Sequence, residues 1–219
     1  MLSHAKRKVV FVVSASFVIR SRVADMAALQ TTLTTAWLGP LLWAALYISD
    51  YVLTLTCARL YRAQGKIVFE GSYEITPGYQ ADVDALRQVS PRFVAALLLS
   101  TAYLWLVRSV AAWVELQVLY VGVLGAMVLI QVTVHVRHLR NWFIFSRGIH
   151  VIDGRLVYPR RFLLMSSAFE LLLFAGLYLG LFLLTGSVFV LGGSLGCGIL
   201  SIKHYQLARH QQTAPIVTT

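Results

Sequence analysis

The chain has 219 residues, of which 58% are hydrophobic and 13% are charged, and its mean hydropathy is +0.72. A soluble domain is usually about 45–50% apolar, so this composition excludes an ordinary globular enzyme and indicates a polytopic membrane protein. The formal net charge is +10, but the basic residues gather beside apolar stretches, which is typical of membrane topology rather than of a nucleic-acid-binding face.

The first 25 residues have three competing interpretations. Residues 9–19 form a short apolar run behind the basic residues Lys6, Arg7 and Lys8. This pattern is typical of a signal sequence, although no clean cleavage site follows it. The segment is therefore an uncleaved signal-like segment, a mis-called start with translation beginning at Met26, or a short sixth crossing. We expect residues 26–219 to form a single transmembrane bundle.

Five apolar segments are each about as long as a bilayer is thick. Crossing a hydrocarbon core of about 30 Å takes roughly 20 residues of helix. The predicted fold class is therefore an all-α integral membrane protein, with a first helix followed by two tight hairpins that turn at Glu115 and at residues 185–187. The predicted spans are residues 36–57, 93–114, 116–136, 162–184 and 187–207.

Basic residues are concentrated in the two long connections, residues 58–92 and 137–161, whereas the short turns carry none. The positive-inside rule places these connections and the C-terminus in the cytoplasm, and we expect the inner or plasma membrane of a prokaryote. Arginines near the ends of the spans are expected to contact anionic lipid headgroups. They are Arg59, Arg62, Arg137, Arg140, Arg147, Arg160 and Arg161.

Both cytoplasmic loops contain segments that favour β-structure. Residues 66–76 are rich in β-branched and aromatic side chains, which predicts a strand, and Pro77 is followed by a short amphipathic helix over residues 79–89. Asp153 and Gly154 lie between two β-prone runs, which predicts a β-hairpin over residues 150–158. The two loops either pair into a small sheet beneath the bundle or form independent ribbons.

Glycines at four-residue spacing mark the last two predicted spans. Helix association in lipid depends on close packing, so small residues predict contact faces. We expect the fourth and fifth spans to pack tightly together, and such a face also suits a partner protein or a second copy of the chain. The glycines are Gly176, Gly180, Gly192, Gly196 and Gly198.

Two carboxylates, Asp50 and Glu170, lie well inside predicted spans, each nine residues from the nearest arginine at the basic end of its helix. Nine residues of helix rise about 13 Å, so both lie at a similar depth. An ionisable residue inside a span costs about 2.5–3.5 kcal/mol on insertion, which makes each carboxylate a candidate functional group. Three further polar candidates fall on the same side of the bilayer, namely Gln131, His135 and His204.

Three interpretations of these groups are open. In the first, Asp50 packs against Tyr47, Thr54 or a basic residue, and Glu170 packs against Ser166 and Ser167, with no further role. Alternatively, the carboxylates share a proton or an ion, or they hold a divalent metal together with histidines. No spacing matches a zinc motif, so we assign no metal, cofactor or catalytic residue.

No sequence motif for catalysis or transport is present, and we expect a non-enzymatic scaffold or accessory subunit of a membrane complex. One alternative is a small oligomeric ion- or proton-coupled transporter that uses Asp50 and Glu170. Another is a lipid-modifying enzyme at the inner membrane interface, which requires the two carboxylates and His135 or His138 to converge near the headgroup arginines. The expected partners are anionic lipid headgroups and a partner protein or second copy, and no nucleic acid is expected.

Overall fold

The computed structural model describes residues 37–211, so the interpretations of the first 25 residues lie outside the described part of the chain. Within it, five helices are long and apolar enough to cross a membrane, as predicted. A sixth helix, α2, is short and spans Gln80–Asp84. The long helices are α1 (Leu38–Gln64), α3 (Pro91–Trp113), α4 (Gln117–Ser146), α5 (Arg160–Thr185) and α6 (Val188–His210).

Local sequence signals set the ends of these helices. α1 ends where Gly65 adopts a φ of 66°, and α5 ends where Gly186 adopts the same left-handed conformation, which favours glycine. At the start of α3, the Ser90 hydroxyl accepts a hydrogen bond from the Phe93 N–H at 3.2 Å. Pro91 occupies the first helical position, where its missing N–H costs nothing.

Helix α4 continues ten residues beyond the predicted third span. We expected residues 137–146 to belong to a loop, because they carry charges. They contain no glycine or proline that would stop the helix, and the first glycine after them is Gly148. The polar residues ended the predicted span, but they do not end the helix. The extra turns of α4 place polar side chains at one end of the bundle.

Helix α4 occupies the centre of the bundle. It packs on α6 along one side and on α1 along the other, while α3 lies against α1 and α4. α5 packs along α6. Among the described residues, α1 and α5 make no extensive contact, because α4 and α6 lie between them.

Glycines let α4 and α6 approach each other closely. A Cβ on Gly125 of α4 would overlap the backbone oxygen of Phe189, and a Cβ on Gly192 of α6 would overlap the backbone oxygen of Gly122. A Cβ on Gly196 would lie 2.8 Å from the Ile130 side chain. We call this contact the α4–α6 seam, and only glycine fits at its closest points.

The five glycines of the predicted pattern therefore lie in two different environments. Gly192 and Gly196 face α4, whereas they were expected to pack against the fourth span, α5. A Cβ on Gly176, Gly180 or Gly198 would meet no atom of the described residues within 4 Å. A role for these three glycines in contacting a partner stays a prediction.

Serine hydroxyls, rather than glycines, join α5 to α6. Ser194 donates a hydrogen bond to the Ala175 carbonyl at 2.9 Å. Ser201 donates to the Ala168 carbonyl at 2.7 Å. Both serines are buried, so the hairpin of α5 and α6 is held by side chain to backbone bonds as well as by packing.

The two long connections meet and form a cap over one end of the bundle, which we call the capped end. β1 (Ile67–Phe69) pairs with β2 (Leu156–Tyr158) in a two-stranded parallel sheet. Each end of the pair is fixed by a further backbone bond, from Leu156 N–H to the Lys66 carbonyl and from Glu70 N–H to the Tyr158 carbonyl. Of the two alternatives left open by the sequence, the structure has the joined sheet and not two independent ribbons.

The predicted β-hairpin at Asp153 and Gly154 is wrong. Residues Gly148–Val151 form a single 3₁₀ turn, and only the residues after Gly154 become a strand. Gly154 has a φ of 84°, so the glycine does make a turn, but the chain then pairs with β1 and not with its own preceding segment. The local preference for a hairpin is therefore outweighed by pairing with β1, a strand that is distant in sequence.

The short helix of the first loop is also shorter than predicted, since it covers Gln80–Asp84 instead of residues 79–89. It stops because Leu86 adopts a left-handed φ of 50°. Buried Asp82 explains this sharp exit: it accepts hydrogen bonds from Arg87 Nη1 at 3.0 Å and from the Ser90 hydroxyl at 2.6 Å. These bonds draw the chain back toward the start of α3.

Candidate functional site

A cavity of about 490 Å³ lies beneath the cap, between α1 and α5, with α4 and α6 behind it. Pockets for small molecules usually have about 300–1,000 Å³, so this cavity can hold a ligand. Four of the five polar candidates from the sequence line it: Asp50, Gln131, Glu170 and His204. The structure thus brings together, in one cavity, side chains from four helices that the sequence placed only by depth.

His135 is the exception, since it is not among the residues that line the cavity. Its Nδ1 lies 2.7 Å from the Gln131 carbonyl, and its Nε2 lies 2.6 Å from the Ser49 hydroxyl. A carbonyl oxygen only accepts, so Nδ1 carries the proton of the neutral ring. His135 therefore ties α4 to α1 and is already used by the fold.

One wall of the cavity is basic. Glu170 Oε2 accepts a hydrogen bond from Arg137 Nε at 2.6 Å, and Oε1 accepts one from Arg140 Nη1 at 3.2 Å. We call these three residues the arginine wall. Ser166 and Ser167, the expected neighbours of Glu170, also line the cavity, but the ion pairs to Glu170 come from α4. Two guanidinium groups share one carboxylate, so this wall keeps an excess positive charge.

The opposite wall begins with Asp50 on α1. Its Oδ1 lies 2.8 Å from His138 Nε2, and the same nitrogen lies 3.2 Å from the hydroxyl of Thr54, one of the neighbours expected for Asp50. Although this contact is close enough for an ion pair, Asp50 Oδ1 has no aligned hydrogen-bond donor in the described chain. His138 is only 7% exposed, so the pair is shielded from solvent.

Glu74, from the loop after β1, lies on the same side of the cavity as Asp50. Its Oε1 accepts the Thr76 N–H at 2.7 Å. Burial raises the pKa of Glu74, and the negative charge of Asp50, which lines the same cavity, raises that pKa further. We call Asp50 and Glu74 the acidic wall. The hydroxyls of Tyr47 and Tyr79, 2.9 Å apart, lie near it on the cavity lining.

Aromatic side chains of the cap form the roof. Phe69 and Tyr73 have ring centroids 5.2 Å apart, and Tyr73 also contacts Phe145 at the end of α4 at 5.9 Å. Asn141 of α4 donates a hydrogen bond to the Tyr73 hydroxyl at 3.1 Å. Burial raises the pKa of Tyr73 well above its usual value, so this phenol remains neutral and anchors the cap on α4.

The far side of the cavity is less charged. The Ser167 hydroxyl lies 2.8 Å from His204 Nδ1, which links α5 to α6. Gln131 is 6% exposed, and its side-chain oxygen has no hydrogen-bond partner among the described residues. Ile130 and Leu200 complete this region with apolar surface. The cavity thus changes from polar walls near the cap to a more apolar interior.

The seven arginines predicted to contact lipid headgroups have different surroundings. Arg137 and Arg140 belong to the arginine wall, and Arg160 donates to the Ile75 carbonyl at 3.2 Å. Arg62 pairs with Asp84 at 3.2 Å on the surface of the cap. Arg59, Arg147 and Arg161 are exposed at the capped end. A headgroup role for each of them stays a prediction.

Sequence reasoning did not select Glu74 as a site residue, and it named His138 only as an alternative to His135 in a lipid-modifying enzyme. A signal for His138 was present: Gln131, His138 and Asn141 follow one another at spacings of seven and three, which places them on one face of a helix. For Glu74 no signal was available, because only the folded loop carries it over the bundle.

Within residues 37–211, no group of three histidines, cysteines or carboxylates is placed to hold a metal ion. No protein-family model, curated protein or solved structure matches this chain. The fold and the site therefore define a five-helix bundle with a capped, oppositely charged cavity, and its chemistry follows from that geometry alone.

Proposed function

We propose that this chain is an integral membrane protein whose cavity binds an amphipathic molecule taken from the adjoining leaflet. The observation that carries the proposal is the cavity itself, which joins charged walls to apolar helix surfaces beneath one cap. An amphipathic ligand needs both kinds of surface at once, since its polar end must be paired and its apolar end must avoid water.

The position of the cavity agrees with entry from the side. Among the described residues, α1 and α5 do not pack extensively on each other, and both line the cavity. Phe162 of α5 lines the cavity and is also 54% exposed, so the cavity wall continues onto the outer surface of the bundle. A lipid chain can lie across this edge while its headgroup occupies the cavity.

The distribution of charge supports a cytoplasmic capped end and a cytoplasmic C-terminus. Of the 14 lysines and arginines among residues 37–211, all except Arg108 lie in the half of the bundle that bears the cap. The positive-inside rule assigns such an end to the cytoplasm. A cysteine at Asp153 should then be shielded from an impermeant thiol reagent in intact cells, and one at Gly186 should react. The reverse labelling pattern would invert this topology.

Binding without chemistry agrees with the expectation of a non-enzymatic scaffold or accessory subunit, in which a bound lipid would be part of the docking surface. The transporter and lipid-modifying enzyme alternatives would use the same cavity. A transporter would release the ligand to the opposite leaflet, and an enzyme would release it altered. All three readings therefore require the same first step, which is ligand binding beneath the cap.

The test is the amount of lipid that copurifies with the protein. Ser166→Trp places a large side chain on the cavity lining, and Leu173→Trp places the same side chain at a position of α5 that is 53% exposed. After purification in detergent and solvent extraction, we expect Ser166→Trp to retain much less lipid than the parent chain, as quantified by mass spectrometry. Leu173→Trp should retain the parental amount. Equal lipid content in all three proteins would contradict the proposal.

A further inference from the structure

Neither charged wall of the cavity is neutralised by its own groups. On the arginine wall, two guanidinium groups share the carboxylate of Glu170, which leaves an excess of positive charge. On the acidic wall, Asp50 contacts the imidazole of His138 and Glu74 accepts the Thr76 N–H, so two carboxylates have at most one cationic partner among these contacts. Unbalanced charges in a shielded site interact strongly with any ion placed between them.

Polar atoms on both walls also lack hydrogen-bond partners. Arg137 Nη2, His138 Nδ1 and Asp50 Oδ1 are all buried and have no aligned partner within the described chain. His138 is the most telling of these groups, because its side chain is more than nine-tenths buried and lines the cavity. Buried polar atoms in folded proteins almost always have a partner, so these three atoms indicate a polar ligand.

The arrangement of the free atoms defines the ligand. Arg137 and Arg140 offer the planar, multiply donating groups that suit a phosphate. Asp50 and Glu74 offer acceptors for an ammonium, and the hydroxyl oxygens of Tyr47 and Tyr79 beside them are further acceptors. One ligand that satisfies both walls must carry an anion and a cation a short distance apart.

We propose that the cavity binds a zwitterionic phospholipid headgroup in which an ammonium is joined to a phosphate, with ethanolamine phospholipid as the ligand. The phosphate lies at Arg137 and Arg140, and the ammonium lies at Asp50 and Glu74. This inference rests on the proposed function, since it names the ligand class of the same cavity. A lipid with a glycerol headgroup offers the phosphate but leaves the acidic wall without a cation.

The experiment is a competition between two lipids that differ only in the headgroup. The purified full chain, in detergent, is mixed with equal amounts of ethanolamine and glycerol phospholipids that have identical acyl chains, and native mass spectrometry gives the ratio bound. We expect the ethanolamine lipid to be enriched by about tenfold, the ratio that one charge-assisted hydrogen bond produces.

Three variants separate the two walls. Glu74→Gln keeps an oxygen for the Thr76 N–H but removes the charge, so the preference should fall toward equal binding while total binding persists. Glu70→Gln changes an exposed carboxylate of the same cap and should leave the preference unchanged. Arg140→Gln should weaken the binding of both lipids and leave their ratio unchanged.

The outcomes are distinguishable. If the parent chain binds no lipid, or if Ser166→Trp does not reduce binding, the proposed function itself fails. If lipid binds but the two headgroups are taken equally, or the glycerol headgroup is preferred, only the zwitterion inference fails. Free glycerophosphoethanolamine at millimolar concentration should not displace the lipid, and full displacement would overturn a membrane lipid as the source of the headgroup.

Discussion

The two sides of helix α4 are built on opposite principles. Toward α6, glycines such as Gly125 and Gly192 let the backbones touch, and no charged side chain is needed. On the other side α4 packs on α1, but at the capped end α1, α4 and α5 surround a cavity lined by carboxylates, guanidinium groups and imidazoles. Close backbone packing in the α4–α6 seam makes this side of the bundle rigid. The other side contains buried charges that are costly unless they are paired, for example by a ligand.

The largest effect should come from breaking the seam. In Gly192→Leu the new Cβ would overlap the backbone of Gly122, and backbone cannot move aside as a side chain can. We expect this variant to lose its folded monomeric form, because the required helix displacement costs more than the usual overpacking penalty of about 1–3 kcal/mol. Size-exclusion chromatography and thermal unfolding in detergent measure this loss.

The control for that variant is Gly180→Leu. A Cβ on Gly180 meets no described atom within 4 Å, so the added leucine can project outward from α5. Its unfolding temperature should match that of the parent chain or exceed it slightly, because leucine favours helix more than glycine does. Equal destabilisation by both substitutions would show that the seam is not the close contact described here.

The next largest loss of stability is expected when the ion pair between Arg137 and Glu170 in the arginine wall is broken. Arg137→Met leaves Glu170 with Arg140 alone, and Arg140 is half exposed, so we expect a loss of about 3 kcal/mol, as for other broken buried pairs. The double variant Arg137→Met, Glu170→Met should lose less than the sum of the single losses, because neither charge is left unpaired. A double-mutant cycle of unfolding free energies measures this coupling.

Arg62 and Asp84 form an exposed ion pair that serves as the control for the buried pair in the arginine wall. Their side chains are 34% and 43% exposed and form a similar contact at 3.2 Å on the surface of the cap. Exposed pairs contribute about 0–1 kcal/mol, so the same cycle on Arg62→Met and Asp84→Met should show little coupling. If the two cycles give equal coupling, the arginine wall is no more shielded than the protein surface.

The seam and the cavity were not equally readable from the sequence. Length and hydropathy were sufficient for five membrane-length helices, and the depth of Asp50 and Glu170 followed from helical rise. Their partners were not predictable, because the lateral order of helices decides that Asp50 meets His138 and Glu170 meets Arg137. The sequence therefore predicts how far along its helix each residue lies, but not which residues of other helices lie beside it.

The glycines show the same limit of prediction from sequence. The spacing of Gly176 and Gly180 equals that of Gly192 and Gly196, yet only the second pair lies in the seam. Spacing identifies a face of a helix, but which helix covers that face depends on the whole packing arrangement. The Asp153-Gly154 turn was misread for a related reason, since the strand that outcompeted the local hairpin lies in the other loop.

The smallest effect should come from the acidic wall. Burial raises the pKa of Glu74 above the usual value of a glutamate, so the folded protein binds more protons than the unfolded chain over the interval between the two values. Stability must therefore fall as pH rises through that interval. Glu74→Gln should remove this slope and leave the protein slightly more stable above it. Unfolding temperatures measured from pH 4 upward check the sign, and a slope of the opposite sign would contradict the assignment.

The parallel pairing of β1 with β2 has a consequence for biogenesis. The two strands come from loops on either side of α3 and α4, so Ile67 must wait for Leu156 to leave the ribosome before it finds its partner. Contacts of such long sequence separation form late, because the intervening chain must first be ordered. The roof of the cavity is thus assembled only after α3 and α4 have been synthesised, and the cavity stays uncapped until then.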